Sequence, residues 1–85
     1  MLTDNELLTL SKFDIDTFYR PVGVESLYAE TFEKLELVSK YGIQKYNGVT
    51  LRSYILTENG KDLLRFNKKR LLFIKIKRRF QLNIV

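Results

Sequence analysis

The side chains that most often carry chemistry are missing from this sequence: its 85 residues include no histidine and no cysteine. No imidazole base, thiolate nucleophile, disulfide or ordinary zinc site can be assembled from it. Carboxylates remain as possible hard-cation ligands or proton carriers. Asp14 and Asp16, however, lack the glycine and distal glutamate of a calcium loop, and Glu30 and Glu33 suit a solvated helix face. With no base, nucleophile or phosphate-cradling loop, the sequence predicts no enzyme, no cofactor and no metal.

Cations are the other chemical resource, and their distribution is uneven. The net charge is +5. Residues 1–36 hold eight acids and three bases, a net −5, whereas residues 37–85 hold two acids and twelve bases, a net +10. Such polarity points to a basic surface for nucleic acid or another acidic partner, and an acidic surface that avoids one. The opening MLTDNE has no signal-peptide character, and the longest uncharged apolar run, Leu71 to Ile74, is far short of a membrane span. The expectation is no membrane partner and a cytoplasmic protein, inside a host cell if viral. Small size and a Lys-, Asn- and Ile-rich vocabulary give a compositional impression of a virus or mobile element.

A chain this short supports one modest core, so few elements position those charges. Thr3-Asp4-Asn5-Glu6 has capping-box form and opens a first helix over about 4–12. Asp14 or Asp16 can cap a short second helix carrying Ile15, Phe18 and Tyr19, ended by Pro21 and Gly23. Val24, Leu27, Tyr28, Thr31, Phe32 and Leu35 then recur at helical spacing, predicting a third helix over about 24–35 with Glu25, Ser26, Ala29, Glu30, Glu33 and Lys34 outside. Asn47-Gly48 between two β-prone runs predicts a hairpin. Thr57 caps a fourth helix with Leu63, Leu64 and Phe66, and Gly60 in its first turn implies close backbone approach. The tail from Leu71 fits period two and period four alike, leaving helix or strand open.

Two fragments in this order resemble the winged helix-turn-helix domain of MarR, PadR and ArsR-like regulators over roughly residues 3–68. Phe32-Glu33-Lys34-Leu35-Glu36-Leu37-Val38 is similar to that family's L-E-K-x-G-L-V helix ending, with Glu36 in place of the usual glycine. Arg52 to Leu64 matches the family's R-x-Y-x-L-T-x-x-G-x-x-L-L. The resemblance implies a mainly α, α+β fold with a small β-hairpin wing. Residues 1–70 would form the winged helix-turn-helix domain, and 71–85 a basic, apolar extension that pairs two subunits through Leu72, Ile76 and Phe80.

By that analogy the third helix enters the major groove of double-stranded DNA and the wing reaches beside it, as in a transcriptional regulator. The expected contacts are Ser26, Ala29, Lys34, Lys40, Lys45, Asn47, Arg52, Lys68, Lys69 and Arg70. The third helix also carries Glu25, Glu30 and Glu33, which repel phosphates. The alternative is therefore a protein-interaction module, an adaptor, antirepressor or nucleic-acid mimic, that docks a partner through those glutamates.

Overall fold

Reciprocal capping starts the first helix, α1 (Asp4–Ser11): the Glu6 amide donates to Thr3 Oγ1 at 3.2 Å and the Thr3 amide donates to Glu6 Oε1 at 2.8 Å. The structure, a computed structural model, describes residues 2–15 and 17–84, and side chains as far as residue 79. Leu7 and Leu10 point inward from α1, and Phe13 extends that spacing past the helix end; all three are fully buried. The Phe13 ring lies 4.8 Å from Tyr19, 5.9 Å from Phe32 and 6.2 Å from Tyr54, so one aromatic side chain joins four segments.

The short second helix does not form among the described residues. Instead Tyr19 exchanges backbone hydrogen bonds with Tyr54, at 2.8 and 2.9 Å. The extended path lets Tyr19 pack on Phe13 while its peptide groups find partners. Pro21 has no amide hydrogen to donate, so this third strand ends after a single bridge.

α2 (Glu25–Lys34) follows, with Ala29 and Phe32 completely buried. Its inward face is turned relative to the sequence expectation: Val24 (69% exposed), Leu27 (67%) and Leu35 (54%) face outward. Ala29 is small enough to let the helix settle on the core, and Phe32 then sets the rotation. At the helix end the Leu37 amide donates to the Phe32 carbonyl (2.9 Å) and the Glu36 amide to the Glu33 carbonyl (3.0 Å), a Schellman motif. Glu36 takes φ 60°, the left-handed conformation that glycine serves in the family pattern.

β1 (Val38–Tyr46) and β2 (Val49–Leu56) form a two-stranded antiparallel hairpin. Asn47 and Gly48 both have positive φ (50° and 78°), as a two-residue turn closing Tyr46 against Val49 requires. A bulge between Lys40 and Gly42 leaves Tyr41 without a cross-strand partner, and its ring stacks on Phe18 with centroids 5.0 Å apart.

Thr57 caps α3 (Glu58–Phe66) and ties it to the end of α2. Its hydroxyl accepts from the Gly60 amide (3.1 Å) and donates to the Glu36 carbonyl (2.6 Å). A Cβ on Gly60 would stand 2.2 Å from the Leu37 carbonyl oxygen, so only glycine fits there. Asn67 links α3 to α4 (Lys68–Ile84): its side-chain amide donates to the Leu63 carbonyl at 2.8 Å and its own carbonyl accepts from the Leu71 amide at 2.8 Å. The tail is thus helical. It runs through the boundary expected near residue 70 and contributes Ile74 to the core.

The result is a small α+β fold, with four helices and a two-stranded hairpin among the described residues. This layout is compatible with a winged helix.

Candidate nucleic-acid interface

The hairpin lies across the acidic side of α2, and its cations meet that helix's acids. Arg52 Nη1 is 3.6 Å from Glu30 Oε1, and Lys40 Nζ is 4.0 Å from Glu33 Oε1. Bulge and register explain the match. Lys40 stands opposite Tyr54 and Ile43 opposite Arg52, so Lys40, Arg52 and buried Tyr54 project from the one sheet face. These exposed pairs are weak in energy, but they lower the field that Glu30 and Glu33 would turn against phosphate. The same pairing occupies two of the cations expected to contact DNA.

Glu25 does not belong to an open acidic face. It pairs with Lys12 and accepts from the Tyr19 hydroxyl at 2.7 Å, with its side chain only 19% exposed. The Lys12 hydrogen bond, then the Tyr19 hydrogen bond, hold its carboxyl below the usual 4.5. Burial first, and the Glu25 carboxylate second, push the Tyr19 phenol up to about 12. This trio latches the start of α2 to the loop after α1.

The remaining expected contacts separate into two groups. Ala29 is 0% exposed and cannot touch DNA, because Phe32 draws that face inward. Arg70 is also committed: its guanidinium donates to Asp4 Oδ1 at 2.8 Å and to the Leu2 carbonyl at 2.9 Å, clasping α4 to the N-terminus. Ser26 is exposed, with its hydroxyl directed at the Pro21 carbonyl (3.4 Å). Lys34, Lys45, Asn47, Lys68 and Lys69 are exposed, and none of these four lysines makes an ion pair among the described residues.

Residues 68–79 of α4 contain seven cations and no acid. Where α4 passes α1 and α3 there are two adjoining depressions, about 530 and 480 Å³, that share Ser11 and Lys75. Lys12, Lys61, Arg65, Lys68, Lys75 and Arg78 line them, against one acid, Asp14. Lys61 is paired with Glu58 (3.4 Å) and Arg65 with Asp62 (3.0 Å), whereas among the described residues Arg78 donates only to the neutral side chain of Asn5. A third depression, about 320 Å³, lies between the start of α2 and β2, with Ser26, Glu30 and Arg52 on its wall.

Of the residues expected to pair subunits, Leu72 and Ile76 are exposed on α4, and Phe80 lies outside the described side chains. Leu72 and Ile76 sit among cations. Two copies meeting there would bring acid-free helix faces together, and like charges oppose that contact.

The groove on α4 was not legible in the sequence because its cations come from the end of α1, at Lys12 just beyond it, and from α3 and α4, and only folding brings them together. The one local signal was the acid-free run from residue 68. Among the described residues no helix is long and apolar enough to cross a membrane, and no cluster of three or more acidic residues forms a metal site. Comparison of the chain with protein-family models, curated proteins and solved structures finds no match.

Proposed function

We propose that this chain is a winged-helix-like nucleic-acid-binding protein that acts on duplex DNA as a small regulator. The observation that carries this reading is the segregation of charge in the fold. Glu30 and Glu33 are met by hairpin cations, while α4 carries seven cations over 68–79 with no acid in that run, and among the described residues only Arg70 of the seven is paired with a carboxylate, that of Asp4. Each phosphate contact releases condensed counterions, and that release supplies sequence-independent affinity.

Base reading by α2 is weak in this account. Its outward positions are Val24, Leu27, Thr31 and Leu35, flanked by Glu30 and Lys34, with few groups that pair with base edges. Selection from a random duplex pool is expected to enrich no sharp consensus, although the unselected pool binds at about 50 mM salt. A pool that does not bind would remove the proposal, and a sharp consensus would return α2 to the groove.

The same outward stripe favours a second reading, a protein-interaction face on α2 that takes a second copy of the chain. In an antiparallel pair, Glu30 of one helix meets Lys34 of the other, so the stripe is self-complementary in charge. Light scattering is expected to show a dimer that Leu27→Asp dissociates and Leu72→Asp leaves intact. The reverse pattern would place the contact on α4.

A further inference from the structure

The two adjoining depressions on α4 form one continuous groove. We infer that the groove between α1 and the α3–α4 pair binds a single strand of nucleic-acid backbone, with Lys68, Lys75 and Arg78 as its phosphate contacts. The inference rests on the nucleic-acid reading and names its surface, which is not the surface of α2 and the hairpin.

Charge balance selects these three residues. Of the six cations on the groove, Lys12, Lys61 and Arg65 each face a carboxylate of their own, from Glu25, Glu58 and Asp62. Lys68 and Lys75 make no ion pair among the described residues, and Arg78 meets only an amide oxygen. At a 1.5 Å rise per residue, positions 68 and 78 are about 15 Å apart along α4, room for a few successive phosphates.

The floor matches the other half of a nucleic-acid backbone. Leu8, Leu64 and Leu71 give apolar surface for sugars, and Asn5 and Ser11 supply polar atoms between them. A flat bilayer cannot reach a floor set between helices. On the other surface Arg52 and Lys40 are already opposite Glu30 and Glu33, and Leu27 and Val24 face outward.

Fluorescence anisotropy with a labelled duplex and a labelled single strand of about 15 nucleotides tests this, at salt from about 50 to 200 mM. The double variant Lys68→Gln/Lys75→Gln is expected to lose about tenfold in affinity and to lower the duplex salt slope by about 1.8, at 0.9 per contact. Lys34→Gln/Lys45→Gln, also exposed and equal in charge change, is expected to lose less than about threefold. Both variants alter solvated side chains, and an unchanged circular dichroism melt confirms that they fold.

If the Lys34/Lys45 variant loses binding and the Lys68/Lys75 variant keeps it, the groove is overturned while nucleic-acid binding stands. If wild type binds neither oligonucleotide, both readings fall. If it binds only vesicles of mixed phosphatidylserine and phosphatidylcholine, or only an acidic polypeptide such as polyglutamate, the ligand class assigned here is wrong.

Discussion

Arg52 on β2 reaches across to Glu30 on α2, with Nη1 3.6 Å from Oε1, and Lys40 stands 4.0 Å from Glu33 beside it. The hairpin therefore neutralises the helix on which it rests. Removing the acids should release the cations. Glu30→Gln/Glu33→Gln is expected to tighten duplex binding by roughly twofold to fivefold near 0.1 M salt, a modest gain because both pairs are exposed and screened. Anisotropy titration measures it, and weaker binding would mean that the glutamates themselves accept from bases.

Glu36 holds a left-handed φ of 60° at the end of α2. An L side chain there costs about 1 kcal/mol relative to glycine. Glu36→Gly is expected to stabilise the fold by a smaller amount, about 0.5 kcal/mol, after allowance for the greater freedom glycine gives the unfolded chain. Urea unfolding would show a higher midpoint with an unchanged slope. A lower midpoint would mean that the Glu36 carboxylate contributes more than its backbone costs.

Gly60 has no room for a methyl group, since the Leu37 carbonyl oxygen would be 2.2 Å from its Cβ and Leu56 Cδ1 2.6 Å. Gly60→Ala is expected to cost about 2–4 kcal/mol, because backbone rather than a flexible side-chain tip must move. Thr57→Ala removes the cap on α3 and the bond to Glu36, at about 1–2 kcal/mol. Thermal melts of both variants check the order, with Gly60→Ala the more severe.

Acid and alkali should each weaken the latch formed by Glu25, Tyr19 and Lys12. The folded-state pKa of Glu25 is depressed below 4.5, so its stabilisation is present above that value and is lost as pH falls through the folded pKa. That of Tyr19 is raised from 10.0 to about 12, so its stabilisation is complete below pH 10.0 and disappears as pH rises towards 12. Glu25→Gln is expected to flatten the acid limb of the stability profile, and Tyr19→Phe the alkaline limb. Denaturant midpoints measured from about pH 3 to 12 would show this, and limbs unchanged in the variants would assign the titrations to other groups.

Much of the fold follows from local signals. The capping box at Thr3, the Asn47-Gly48 turn and the Thr57 cap with Gly60 each have a short-range cause, and each appears where the residues require it. The second helix failed because a long-range bond prevailed: Tyr54 on β2 offered its backbone to Tyr19, and Phe13 offered its ring. The face of α2 was misassigned for a similar reason. Periodicity alone admits two rotations of Val24–Leu35, and the aromatic neighbours of Phe32 choose between them. Of the candidate contacts, Lys68 and Lys69 were legible as a charge run. Lys12 and Lys75 were not placed beside them, because their proximity depends on how α1 crosses α4.

Whether backbone electrostatics bind this protein to nucleic acid is read from the salt dependence of wild-type binding to one random-sequence duplex. Measurable binding is expected at about 50 mM salt, with a log–log slope of about −2.7 to −4.5, from three to five phosphate contacts at about 0.9 each. Binding that is absent at that salt, or that does not change between about 50 and 200 mM, would contradict it.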